Sequence, residues 1–227
     1  MKLLNISCAL SLLFSGVCFA AGMVPATSLL LINEEDGGAS MDVKNTDNEP
    51  GLLYTYLKEV DGESLRGNLI VTQPVVRVEA GKTQRVRFVL NQKTPLTTEH
   101  LKRVVFTTIP RKENNKLKMV IGQDLPVIIH PKGLPVVTDP WKNLSWSFKG
   151  NTLSVKNNTA YVVRMASQLK MLPSGNKASL PGTFILPGQT LTATAAQPFS
   201  AADNKVEMYP ATRYGYASEN YIAPLTQ

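Results

Sequence analysis

Past its first twenty residues, the chain carries no long apolar repeat of helical period, only short alternating runs punctuated by turn residues. A run with period two buries one face and wets the other, so a chain made of such runs must stack sheets. Ala39, Met41 and Val43 alternate with Ser40 and Asp42, and Val86, Phe88 and Leu90 alternate with Arg87 and Val89. Leu52–Val60 lies between Pro50-Gly51 and Asp61-Gly62, Leu69–Thr72 and Val75–Val78 flank Gln73-Pro74, and Leu101–Ile109 closes at Pro110. From His130 to Pro140 the period is lost in a stretch with three prolines and one glycine. Beyond it Leu144, Trp146 and Phe148 alternate, followed by Leu153 and Val155, Tyr161–Met165, Phe184–Leu186, Leu191–Ala193 and Val206–Tyr209. This pattern predicts an all-β protein of two sandwiches joined by a proline-rich elbow.

The first twenty residues have the three regions of a secretory signal: Lys2, an apolar run from Ala9 to Phe14, and a small-residue end with cleavage expected after Ala20. The apolar run is too short to cross a bilayer, which needs roughly 20 apolar residues. Both cysteines of the chain, Cys8 and Cys18, lie in this segment, so two cores must form without disulfides. Some 200 residues remain, enough for two domains of about 100 each. The net charge of +7 is scattered along the sequence; together with export, this argues against nucleic acid as a partner.

Catalytic and metal chemistry find little support. Two histidines, His100 and His130, and no mature cysteine are too few for a zinc site of several His or Cys ligands. No GxSxG nucleophile motif or phosphate-binding glycine loop is present. The cluster Glu34-Glu35-Asp36-Gly37-Gly38 lacks the ligand spacing of a calcium loop and reads as a solvated turn. Asn143-Leu144-Ser145 and Asn157-Asn158-Thr159 match a glycosylation pattern too short to be informative. A binding protein without enzyme activity or cofactor is expected.

The stretch Asn114–Pro131 attracts attention next. Leu117, Met119 and Ile121 alternate with Lys118 and Val120, as on one face of a strand. After an interruption at Gly122–Pro126, a second apolar run, Val127–Ile129, leads to His130-Pro131. By periodicity alone, such a row is the inward face of a strand in the protein's own core.

Several pieces in order resemble the periplasmic pilus chaperones of the chaperone–usher pathway, the PapD-like family. They are Pro74-Val75-Val76-Arg77-Val78-Glu79-Ala80-Gly81, then Arg85-Val86-Arg87-Phe88, then Glu99 ahead of Ile109-Pro110, and the alternating row at 117, 119 and 121. His130-Pro131 stands where the family usually has Arg-Pro, and Trp141, Asn157-Asn158-Thr159 and Leu186-Pro187-Gly188 resemble features of its second domain. The similarity spans essentially the whole mature chain.

The resemblance implies two immunoglobulin-like β-sandwiches in a boomerang arrangement: a signal peptide at 1–20, a first domain at 21–130, a hinge at 131–140 and a second domain at 141–227. It implies work in the periplasm, with pilus subunits and an outer-membrane usher as partners, and self-association when no subunit is bound. Leu117, Met119 and Ile121 would be the donor row that fills the groove of an incomplete subunit. The short connection 111–115 resembles the family's short-loop branch. The family grips the subunit's terminal carboxylate with an Arg in the first strand and a Lys after the donor row. Here no Arg or Lys occurs from Ala21 to Val43, and the Lys position falls on Pro126. Thr27 and Ser28 in the first strand and His130 at the junction are the polar groups nearest the place, and are the candidate anchor. Two rivals are a pilin or two-domain adhesin within a surface fibre and a hydrolytic β-sandwich, which would need paired carboxylates in a cleft.

Overall fold

Why the first domain splits into two sheets is visible in its alternation. The computed structural model describes residues 22–65, 67–110, 120–149, 152–195 and 197–226. One sheet has four strands in the order β1 (Met23–Pro25), β3 (Gly38–Asn45), β7 (Thr83–Leu90), β5 (Leu69–Val71). Its inward residues include Met41, Val43, Val86 and Phe88, while outward Arg85 forms a fork on Asp42 at 2.8 and 2.9 Å. The facing sheet has five strands in the order β2 (Leu30–Asn33), β9 (Gln123–His130), β8 (His100–Ile109), β4 (Gly51–Lys58), β6 (Val75–Val78). Phe88 and Phe106 meet edge to face between the layers, with ring centroids 6.4 Å apart.

The amino-terminal segment serves both sheets. β1 pairs antiparallel with β3, whereas β2 pairs parallel with β9. Thr27 and Ser28 therefore lie in the exposed crossing between the layers and not inside the first strand, as the sequence alone suggests. Pro25 supplies no N–H to carry β1 further, and the Thr27 hydroxyl ties the bend by donating to the Leu29 carbonyl at 2.8 Å.

β9 also differs from expectation. The interruption anticipated at Gly122–Pro126 is shorter, because the strand starts at Gln123 and runs through Pro126, which lies opposite Arg103 of β8. A proline is tolerated there because β2 first pairs at Val127, so the other side of Pro126 carries no ladder.

In the second domain β10 (Leu144–Lys149), β11 (Thr152–Asn157), β16 (Thr190–Ala195), β14 (Lys177–Ser179), β13 (Gln168–Leu172), β17 (Lys205–Met208) and β18 (Tyr221–Pro224) follow one another in one sheet. The sheet curls until Thr226 reaches its first strand, donating to the Trp146 carbonyl and accepting from the Phe148 N–H. β12 (Val163–Arg164) and β15 (Phe184–Ile185) form a separate ribbon. Trp146, Leu153, Leu169, Met171 and Val206 fill the core.

One local device occurs twice. Asn45, ending β3, donates to the carbonyls of Glu49 and Val78 at 2.9 and 3.0 Å and accepts from the Asp47 N–H. Asn157, ending β11, donates to the carbonyls of Tyr161 and Ile185 at 2.8 and 3.0 Å and accepts from the Thr159 N–H. Both side chains are fully buried, so the glycosylation pattern at Asn157 presents no accessible amide.

The sandwiches meet in a small third core. Leu29, Val60, Leu101 and Ile128 of the first domain pack with Val162 and Leu186 of the second.

Candidate functional site

The place that the sequence singles out is an incomplete sheet edge. β8 covers β9 from Gln123 to Ile129 on one side, but β2 covers only Val127–His130 on the other. Among the described residues, Gln123–Pro126 have no strand partner on that second side. Leu117 and Met119 lie outside the described residues. Ile121 is 63% exposed, and it shares the sequence parity of Val127 and Ile129, which point into the core. An open edge ending in a large apolar side chain can accept another strand.

Beside that edge the outer face of the five-stranded sheet is apolar. Tyr54 and Tyr56 stack at 5.1 Å, Leu52 lies opposite Ile109, and all four side chains are exposed. Asp124 holds the edge at its charged point. It takes Lys58 at 3.0 Å and Arg103 at 2.7 Å, and Arg103 also donates to its carbonyl. Partial burial raises the Asp124 pKa, but these two cations outweigh it and keep the carboxyl below its usual range.

The edge runs into a cleft between the domains, where the three candidate anchor residues have different surroundings. Thr27 turns back onto its own bend. His130 is buried with both ring nitrogens engaged, Nδ1 with Glu99 at 2.8 Å and Nε2 with the Leu134 carbonyl at 2.9 Å. Ser28 is exposed at the mouth of the cleft.

Glu99 is the centre of a lock between the domains. Its Oε2 accepts the Val162 N–H at 3.0 Å, its own N–H donates to the Ala160 carbonyl, and Arg213 lies 3.5 Å from Oε1. The sequence marks Glu99 and His130 separately as family features; only the fold puts them in contact.

Arg164 was not anticipated. It stands on β12, and its Nη1 is buried with no hydrogen-bond partner among the described residues. Desolvation, followed by the nearby charge of Arg103, lowers its pKa. A Cβ at Gly215 would lie 3.1 Å from the Ser28 hydroxyl and 3.3 Å from Arg164 Nη1, so those polar atoms share a small space that a side chain would fill. The signal in the sequence was a single arginine inside the apolar run Tyr161–Met165.

Two immunoglobulin-like sandwiches, a locked joint and an open edge pointing into the cleft define a two-domain β protein built to receive an extended chain. Residues 22–135 match the family described as pili and flagellar-assembly chaperone, PapD N-terminal domain, and residues 139–222 match the pili assembly chaperone PapD, C-terminal domain. The chain belongs to the PapD pilus-chaperone family. A fimbrial chaperone of Escherichia coli (strain K12), YhcA, is 47% identical over 208 residues, 91% of this chain and 92% of the relative. Among solved structures, the YadV chaperone superposes with a TM-score of 0.73 at 20% identity, covering 90% of this chain and 100% of that one. The Salmonella enterica SafA pilin in complex with the SafB chaperone gives a TM-score of 0.73 at 21% identity, covering 92% of this chain and 98% of that one.

Proposed function

We propose that the protein is a periplasmic chaperone that receives fimbrial subunits by lending them a strand, and passes them to an outer-membrane usher. The observation that carries this is the half-covered β9, whose open edge begins where the apolar row Leu117, Met119, Ile121 ends. Side chains two apart on a strand are separated by ~6.6 Å, so three alternate residues fit three successive pockets of a subunit groove. Their burial is worth on the order of 5–9 kcal/mol before ordering costs. Parity with the core-facing Val127 and Ile129 would make the subunit's core continuous with that of the first domain. The exposed Leu52, Tyr54, Tyr56 and Ile109 offer contact area alongside the same edge. Ser28 is the candidate anchor residue whose position leaves it open to the end of a bound chain. The signal-like first twenty residues support export, and the SafA–SafB pair supports subunits as the partner class.

Co-expression with the cognate subunit tests the strand reading. Leu117→Glu, Met119→Glu and Ile121→Glu in one chain are expected to abolish recovery of the soluble complex. Normal recovery of the complex with all three charges in place would sink it. Finding the mature protein in sheared surface fibres would instead favour a structural fibre component.

A further inference from the structure

The cleft contains a cation that the lock does not use. Arg103 is committed to Asp124, and Arg213 faces Glu99 and His130. Arg164 has Nη1 buried and unpartnered among the described residues. A desolvated guanidinium N–H without an acceptor is costly unless an acceptor arrives, and an anion supplies one best. The space beside it is polar on the Ser28 side and is roofed by a glycine, Gly215, with no side chain to occupy it.

What reaches that space follows from the sheet. A chain laid on the open edge of Gln123–Pro126 is blocked where β2 begins at Leu30, because β2 already occupies the next stretch of β9. It must end or turn away beside Ser28. A free chain end there carries a carboxylate, which matches the unsatisfied guanidinium; an amino terminus would repel it. An end of that polarity makes the guest run parallel to β9.

Arg164 belongs to the second domain, whereas the edge belongs to the first. Gly215 sits in a tight hairpin, where Thr212 donates to the Tyr216 carbonyl at 2.7 Å and Gly215 donates to the Thr212 carbonyl at 2.9 Å. The same hairpin carries Arg213 into the lock, and Ala211 fastens it to the Arg164 carbonyl at 2.9 Å. The seat and the lock therefore share one short piece of chain.

Resting on the strand-lending reading above, we propose that Arg164 of the second domain, with Ser28 of the first, holds the terminal carboxylate of the bound subunit, and that the seat is intact only while Arg213 and Glu99 keep the domains locked. Arg164 would be the binding residue, and Arg213 would be a positioning residue that never touches the guest. Linkage makes the effect reciprocal: a seated carboxylate strengthens the lock by the factor that the lock strengthens binding.

The test uses the purified full-length mature protein and the subunit that co-purifies with it. A peptide of that subunit's last dozen residues is made as the free acid and as the carboxy-terminal amide, and both are titrated calorimetrically. The wild type is expected to bind the acid about tenfold or more tightly than the amide, as a charge-assisted pair would give. Arg164→Gln should bring the ratio close to one, and Arg213→Gln should lower it severalfold. Affinity for the amide should stay unchanged in both variants, which reports that each is folded. An undiminished ratio in Arg164→Gln overturns the seat. A ratio lost in Arg164→Gln but intact in Arg213→Gln overturns the dependence on the lock. Failure of the strand reading looks different: charges in the donor row would then leave both peptides bound as in wild type.

Discussion

Glu63 shows how single groups hold the first domain together at the joint. It is buried, with Oε1 2.7 Å from His100 Nδ1 and accepting the Leu65 N–H at 3.0 Å, while Oε2 accepts the Leu101 N–H at 2.8 Å. Burial alone would raise its pKa, but the hydrogen bonds from His100, Leu65 and Leu101 prevail and hold it at about 2, below the ordinary 4.5. A depressed folded value means that the contribution is complete above the unfolded pKa and is lost as the pH falls from about 4.5 towards 2. Glu63→Gln should therefore cost roughly 1–3 kcal/mol at pH 7 in urea unfolding, with the difference from wild type shrinking as the pH drops below about 3. A difference that is constant with pH would show that the charge is immaterial. None of these partners is near Glu63 in sequence, so the residue passes for an ordinary turn acid when read along the chain. Arg164 was missed for a related reason. Periodicity assigns it to one side of a short strand but does not reveal that this side faces another domain.

At the level of elements, alternation made most strands legible, because one face of each is buried against the partner layer. It failed on β13, β14 and β18, where short strands offer two or fewer buried apolar positions amid Gln168, Lys170, Lys177 and Ser179. It also failed where the chain changes layers at Ala26–Ser28, since nothing in a period-two pattern records which sheet a strand joins. Close approach of strands makes a sharper forecast. A Cβ added at Gly38 would come within 2.1 Å of the Phe88 carbonyl oxygen, a backbone atom that cannot swing aside. Gly38→Ala is expected to push β3 off β7 and cost about 1–3 kcal/mol, read as a lower denaturation midpoint. An unchanged midpoint would mean that the two strands separate at no cost.

For the whole molecule, the two-sandwich plan and its family were legible from ordered weak signals, while the joint was not. Leu29, Val60, Leu101, Ile128, Val162 and Leu186 come from six separate places in the sequence, each reading as ordinary core. The same distance in sequence hid the twice-used asparagine corner, whose chemistry is repeated although its residues after the asparagine are not. A further difference between the domains lies in their borders. The second sheet closes through Thr226 onto β10, and the outer strands β1, β5 and β6 of the first domain are only three or four residues long, which discourages pairing. The uncovered part of β9 is left as the one adhesive border of any reach among the described residues. In polymer terms the protein is monovalent: it can terminate a growing assembly or pair once with its own kind, but it has no second reactive end from which a fibre could grow. Sedimentation of the unloaded protein at rising concentration should accordingly level off at a dimer, and a continuing series of larger species would refute a single valence.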